Sequence, residues 1–394
     1  MDADIAIVGG GLAGATAAAM LGRNGFNVVL IDPHPVYPPD FRSEKLAEDQ
    51  VLVLRKTGLA DAVLRAATPI DELWIARFGR LVEKRRNRQY GILYDRLVTA
   101  ARAELPPGAE FIAAKVSAVS SGSDRQTVIL SNGERVRARL VVLATGLNNG
   151  LRRMLGIARA DVSPCHSISI GFDVDPAGRP GFDFPALTYY PERATERISY
   201  LTLFPIGSTM RANLFVYRDL RDPWLSRLRA APQDTLFAAM PGLRKLLGNF
   251  EVTGDLKIRP ADLCATKGFR QPGIVLVGDA FATSCPAAGT GVGKVFTDVE
   301  RLCNIHVPRW FATPGMGEEK IAAFYDDPVK RACDSHSVAM AYYVRSISVD
   351  PGVLWQARRW GRFIAHLGVG TVRRARGRQP IAAPSRRDAV AGRA

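Results

Sequence analysis

With 394 residues, 47% of them hydrophobic, the chain can bury a large core and is expected to form two interleaved domains rather than one. Its five cysteines, Cys165, Cys264, Cys285, Cys303 and Cys333, are odd in number, scattered and without Cys-x-x-Cys spacing, which argues for reduced thiols and against a disulfide framework or a metal site. No apolar stretch reaches the ~18 residues of a membrane span, while a net charge of +15 admits nucleic acid, anionic lipid or anionic small molecules as partners.

The first apolar run, Asp4 to Val8, meets the turn Gly9-Gly10-Gly11-Leu12-Ala13-Gly14, continues through small residues at helical spacing, and gives way to a second apolar run that closes on Asp32. This is a βαβ unit with the spacing of a dinucleotide fingerprint. Gly9 permits the tight turn, Gly11 lets the backbone approach a pyrophosphate, and Gly14 lets the helix pack closely on the strand, so that phosphates sit at a positive helix N-terminus beside Ala13. Asp32 is placed to accept hydrogen bonds from a ribose. The turn lies so near the start that no signal peptide fits before it, and a cytoplasmic protein is expected.

A proline-rich loop, 33–40, follows, and then Arg42, a cation able to close over cofactor phosphates. Helical spacing over 44–65 is broken at Thr57-Gly58. Residues 75–84 alternate like a strand, the basic run Lys84-Arg85-Arg86-Asn87-Arg88 is expected to be a loop, and a helix from Leu93 to Leu105 stops at Pro106-Pro107-Gly108. Three β-rich runs, 110–119, 127–130 and 136–143, turn on Ser131-Asn132-Gly133-Glu134, and the third runs into Ala144-Thr145-Gly146.

Residues 162–262 read as an antiparallel sheet with strands at 167–174, 199–205 and 211–217 and helices at 224–229 and 234–247. Its candidate cavity residues are His166, Tyr189, Tyr190, Phe204, Arg211, Asn213, Phe215 and Tyr217, although alternation turns half of the strand residues away and a buried histidine bonded to backbone is the plain alternative for His166. A second apolar strand, Gly273 to Val277, then runs into Gly278-Asp279-Ala280. Pro286 and Gly289-Thr290-Gly291-Val292 follow, opening a helix through Asp298. An unpaired carboxylate at Asp279 would be costly where a buried strand ends, so a hydroxyl-rich partner suits it. The helix after Gly289 directs backbone N–H groups at whatever lies in front. Beside it, Cys285 is expected to be a packing cysteine. Helices are expected from Arg301 to Pro308 and over 318–345, interrupted at 324–328. Segment 353–372 mixes Trp355, Trp360, Phe363, Ile364 and Leu367 with Arg358, Arg359 and Arg362; it is expected to dock on the core, the alternative being a membrane surface. The tail after Gly377 is expected to be mobile.

The segment from Ala144 to Ile157 resembles the "DG" segment of class A flavoprotein monooxygenases, the para-hydroxybenzoate hydroxylase-like family, with Thr145 where that family usually has aspartate and Asn149 where it usually has serine. Residues 273–292 are similar to its second FAD motif, in which Asp279 would bind the ribityl chain and Pro286 would lie by the isoalloxazine; Ala282 replaces the usual histidine. The resemblance implies an α/β protein whose Rossmann-like FAD-binding domain, of the glutathione reductase type, comes in two parts. These are 1–161, with β-strand insertions near 70–92, and 263–345, separated by an antiparallel-sheet substrate domain at 162–262 and followed by a basic C-terminal helical region at 346–394.

The same resemblance implies FAD held by Gly9, Gly11, Ala13, Gly14, Asp32, Arg42, Val116, Thr145, Gly146, Gly278, Asp279, Pro286, Gly289, Thr290, Gly291 and Val292, with NADPH or NADH as reductant. It implies insertion of one oxygen atom from O2 into a small aromatic, alkene or isoprenoid-like substrate through a flavin C4a-hydroperoxide. The cofactor carries such chemistry, so neither a triad nor a metal cluster is required of the protein. Two alternatives stay open. Leu93-Tyr94-Asp95-Arg96-Leu97 is similar to the "FD..L" segment of geranylgeranyl reductase-like flavoproteins, which implies a reductase or dehydrogenase of a lipid-like alkene, peripheral to the inner membrane through its basic tail. The flavin halogenase signature Trp-x-Trp-x-Ile-Pro is missing. The other alternative is a non-catalytic FAD-binding protein with a basic surface; nucleic acid is not expected, because no recognition motif accompanies the charge.

Overall fold

The computed structural model describes residues 1–122 and 124–376. The first apolar run is the strand Asp2–Val8, central in a seven-stranded sheet. Parallel neighbours flank it, with Val28–Ile31 and then Ala109–Ile112 on one side and Arg135–Leu143 on the other. Ile5 and Ile7 pack into one core and Ala6 and Val8 into another, so both faces are covered and the strand reads as continuous apolar sequence instead of alternating.

The far edge of Arg135–Leu143 is shared. Its first residues pair antiparallel with Gln126–Leu130, and its last three pair parallel with Ile274–Leu276. Val8 and Leu276 both lie opposite Leu143, which delivers the two glycine turns to the same carboxyl end of the sheet. That end is where open α/β sheets bind ligands. The 110–119 run is divided: Ala109–Ile112 lies at one edge of the sheet, and Val116–Ser120 at the other beyond Gln126–Leu130.

An eight-stranded sheet runs in the order Glu251–Lys267, Ala158–Asp175, Thr209–Val216, Ile198–Ile206, Leu187–Tyr190, Thr68–Arg77, Arg80–Gly91 and Lys45–Leu46. Ala212, Leu214 and Val216 point one way, with Leu201 and Leu203, onto Trp224, Leu228, Leu236 and Phe237 of the helices Pro223–Ala230 and Pro232–Ala239. The other face looks toward the first sheet.

The basic run 84–88, expected as a loop, lies inside the strand Arg80–Gly91. Lys84, Arg86 and Arg88 alternate toward solvent while Glu83 and Gln89 are buried, so the charges mark an exposed face rather than a turn. The 234–247 helix breaks at Pro241-Gly242 into Pro232–Ala239 and Leu243–Leu247. Glu251–Lys267 goes unrecognised as a strand because Gly254 and Pro260 interrupt its pattern.

At the C-terminal end, Pro328–Val349 is followed by Val353–Arg376, which docks on Arg80–Gly91. Phe363 is buried edge-on to Phe78 at 5.1 Å, and Trp360 stacks on the same ring at 4.7 Å, while Leu354 and Ile364 face solvent. Among the described residues no helix is long and apolar enough to cross a membrane. The tail after Gly377 lies outside the described residues.

Candidate functional site

Gly9 has φ +103°, and a Cβ there would come within 2.5 Å of the Ala144 carbonyl oxygen; a Cβ at Gly14 would come within 1.8 Å of the Gly9 oxygen. Both positions therefore demand glycine to hold strand, turn and helix Leu12–Arg23 together. Gly11 differs, since its nearest neighbour would be Tyr37 at 3.9 Å, leaving its peptide open to the groove in front. Asp32 helps close the turn: it accepts from the Gly10 N–H at 2.6 Å and the His34 N–H at 2.8 Å, and Arg102 lies 3.3 Å away.

The groove consists of two cavities. The wider, of about 680 Å³, is lined by Gly9, Gly11, Ala13, Asp32, Arg42, Val116, Thr145, Gly146 and Asp279 among others. The narrower, of about 280 Å³, is lined by Arg42, Asp279, Pro286, Gly289, Gly291 and Val292 on one side and by the antiparallel sheet on the other. Leu12, Arg42, Tyr94, Asp279 and Val295 border both, so the two adjoin along a shared wall. Of the expected cofactor contacts, Gly14, Gly278 and Thr290 stand behind this lining. Gly14 packs under Gly9, Gly278 donates its N–H to Asp298 at 2.9 Å, and the Thr290 hydroxyl meets Ser337 at 2.8 Å.

Asp279, for which the sequence suggests a hydroxyl-rich partner, also has a partner within the protein. Arg42 donates to it at 3.1 Å and to Asp40 at 2.6 Å, and lies over the Tyr94 ring at 5.5 Å. Burial opposes the charge of Arg42, but Tyr94, Asp279 and Asp40 outweigh it, and the guanidinium stays charged.

The cavity roof is a set of cross-strand pairs. Phe204 faces Arg211, Thr202 faces Asn213 and Tyr200 faces Phe215. Of the substrate-cavity candidates, Phe204 and Asn213 line the cavity, together with Phe215. Arg211, Asn213, Phe215 and Tyr217 share one face by alternation, yet Arg211 and Tyr217 overshoot the cavity at its two ends. Arg211 is locked onto Glu44 and Asp173, and Tyr217 is buried against His166. His166 sits in the packing between Tyr217 and Tyr342, with one ring nitrogen 3.3 Å from the Ala341 carbonyl. Tyr189 points with Leu187 into the opposite core and donates to Glu192. These four do not line the cavity, and neither does Tyr190, whose ring packs against Tyr200 at 5.7 Å.

A family profile described as "FAD binding domain" matches residues 2–305. The chain belongs to the FAD binding domain family. It is an FAD-dependent oxidoreductase, and its α/β fold is that of class A flavoprotein monooxygenases. Among curated proteins it is similar to 3-demethoxyubiquinol 3-hydroxylase of Escherichia coli (strain K12), with 27% identity over 338 residues, 77% of this chain and 79% of that protein. It is also similar to squalene epoxidase of Aspergillus fumigatus, with 24% identity over 382 residues, 86% of this chain and 74% of that protein. Among solved structures, p-nitrophenol 4-monooxygenase from Pseudomonas putida DLL-E4 matches with a TM-score of 0.75 at 17% identity, covering 95% of this chain and 96% of that one, which shows the fold.

The groove fits the cofactor of the FAD binding domain family. Side chains added at Gly11, Gly146, Gly289 or Gly291 would meet nothing closer than 3.7 Å, so the backbone is bare where a ligand would lie. The Ser169 hydroxyl, buried and without a partner, belongs to the lining of the narrower cavity. Sequence reasoning passed over Glu44, Lys45, Gln50, Tyr200 and Thr202, all in that lining. Gln50 donates to the Gly289 carbonyl at 2.7 Å and accepts from the Ala47 N–H at 3.0 Å, tying the helix Glu48–Lys56 to the second glycine turn. Only its position at the start of a helix, three residues after Ala47, could have signalled that role.

Proposed function

We propose that the chain is an FAD-dependent monooxygenase that inserts one oxygen atom of O2 into a small aromatic or isoprenoid-like substrate, with NADPH or NADH as reductant. The observation carrying this reading is the adjacency of the two cavities: the one at the first glycine turn shares a wall with the one under the antiparallel roof. Bound FAD would supply electron transfer and O2 activation. In this reading Gly9, Gly11, Ala13 and Asp32 hold the adenosine half. Arg42, Val116, Thr145, Gly146 and Asp279 hold the middle, and Pro286, Gly289, Gly291 and Val292 hold the ring system, with Gly14, Gly278 and Thr290 buttressing from behind.

The helix Gly291–Arg301 starts at the ring end of the groove. Its first N–H groups lack intrahelical acceptors, and they stabilise negative charge developing there. Phe204, Phe215, Tyr200, Pro286 and Val292 give the cavity apolar walls that exclude water, as oxygen transfer requires. The relatives support both substrate classes, one being named for 3-demethoxyubiquinol and another for squalene.

Tyr94, placed on the wall shared by the cavities, keeps the alkene reductase reading as the second one. Incubation of the holoenzyme with NADPH or NADH, candidate substrates and 18O-labelled O2 separates the two. Label in the product supports oxygenation, and unlabelled product formed equally well without O2 overturns it in favour of reduction.

A further inference from the structure

We infer that Lys45 is the residue that selects the substrate, receiving the oxyanion of an acidic hydroxyl group, that of a phenol or enol, in the roof of the narrower cavity. The inference deepens the monooxygenase reading and depends on it for its meaning, while the binding test below does not require turnover.

Lys45 and Leu46 form a two-residue strand paired with Gly91 and Tyr90 at the edge of the eight-stranded sheet. Alternation sends Leu46 into a buried core and Lys45 to the other side, into the cavity lining. There its ammonium donates to the Thr202 hydroxyl at 3.3 Å and lies 5.5 Å from the centre of the Phe204 ring.

What sets Lys45 apart is the lack of a counter-charge. Of the other described cations lining this cavity, Arg42 is paired with Asp40 and Asp279, Arg159 with Asp161 and Asp262, and Arg259 with Asp40. The neighbouring Glu44 is turned away: both its oxygens accept from Arg211, at 2.7 and 2.9 Å, and the Asn213 amide, in its satisfied orientation, donates to it at 3.0 Å. Burial alone therefore lowers the Lys45 ammonium to about 8, and no carboxylate restores it.

An ammonium carries three donors, of which Thr202 takes one. A ligand oxygen bearing negative charge would satisfy another and supply the absent counter-charge. Lysine is a compact point charge rather than a planar fork, and here it stands on a wall of Phe204, Phe215 and Tyr200, which suits a single oxygen on a flat apolar ring. On binding to the neutral amine, the substrate O–H bond breaks and an N–H bond forms, leaving ArO⁻ beside Lys–NH3⁺. On binding to the ammonium, the same proton leaves to water.

The test uses oxidised holoenzyme without reductant, titrated with 4-nitrophenol, whose ionised and neutral forms differ in colour, and with its methyl ether 4-nitroanisole, which is larger by one methyl group and has no acidic hydrogen. The pH is held where the free phenol is neutral. The expected result is that the phenol binds in its ionised colour and about tenfold to a hundredfold more tightly than the ether, the range of one charge-assisted hydrogen bond. Lys45→Met should bind both probes alike and lose the ionised colour while keeping its FAD content and melting temperature, and Lys45→Arg should keep the ionised colour. Equal binding of phenol and ether by the wild-type protein, no binding of the phenol, or an unchanged preference in Lys45→Met would each overturn the inference. A protein that shows the phenolate preference yet incorporates no labelled oxygen would fail the monooxygenase reading alone.

Discussion

Glu44 and Arg211 are joined by two hydrogen bonds of 2.7 and 2.9 Å, and both side chains are almost wholly removed from solvent. The pair joins the loop after the first βαβ unit to the roof of the cavity, and Asp173 completes it with a contact to Arg211 at 2.9 Å. Replacing one partner leaves a buried charge with nothing opposite. Arg211→Met is therefore expected to lose about 3–5 kcal/mol in urea unfolding, and the double replacement with Glu44→Met to recover most of that loss. A single variant as stable as the double would show the pair to be dispensable.

The two kinds of glycine in the first turn predict opposite phenotypes. Gly14→Ala should fail to fold around FAD, because its Cβ would overlap the Gly9 carbonyl at 1.8 Å. Gly11→Ala meets only Tyr37 at 3.9 Å, so it should melt like the wild type as apoprotein yet retain less FAD after gel filtration. Full flavin content in Gly11→Ala would remove this turn from the cofactor site.

Asp327 predicts a pH-dependent stability. It caps the helix Pro328–Val349 through the N–H groups of Val329 and Lys330 at 2.9 and 3.1 Å, and it accepts from Arg301 at 2.8 and 3.0 Å and from His306 at 3.0 Å. Burial works against its charge, but Arg301, the helix N–H groups and His306 prevail, holding the carboxyl well below the ordinary range. A carboxylate depressed in the folded state stabilises it above the unfolded value of about 4, and that stabilisation is lost as pH falls toward the folded value. Thermal melts should show Asp327→Asn well below the wild type at neutral pH, with the gap narrowing steadily below about pH 4. A gap independent of pH would mean that the ion pairs contribute nothing.

Behind the second turn, Lys330 binds Asp298 at 2.8 Å and Asp334 at 3.0 Å, while Asp298 also accepts the Gly278 N–H. Burial disfavours the Asp298 charge, but Lys294 and Lys330 keep its carboxyl below the usual range. Lys330→Met should leave Asp298 only the longer contact to Lys294, at 3.4 Å, cost up to about 3–5 kcal/mol, and loosen the turn that carries Asp279, so that FAD is lost at lower urea than unfolding itself. Coincident flavin release and unfolding, at the wild-type midpoint, would contradict this.

The two glycine turns were legible because their constraints are local: the positive φ of Gly9 and the contact under Gly14 hold whatever else the chain does. The assignment of cavity residues was less legible, because alternation gives the face of a strand but not where along it the cavity ends. Asn213 and Phe215 lie over the groove, while Arg211 and Tyr217, on the same face, lie past its edges. The face of Tyr189 is not legible in the sequence, since four residues of strand are too few to show a period. Lys45 escaped for the same reason, standing in a strand of two residues. The bond from Arg42 to Asp279 is not legible in the sequence, because the two are 237 residues apart and nothing local signals it.

The strand Arg135–Leu143 has one further effect, on the order in which the protein can assemble. Its last three positions wait for Ile274–Leu276, and the second half of the groove lies further along still. On the ribosome, the amino-terminal nucleotide fold is made early and must persist with an open sheet edge while the whole intervening sheet is synthesised. With the flavin held as proposed, its capture would wait until nearly three quarters of the 394 residues have emerged.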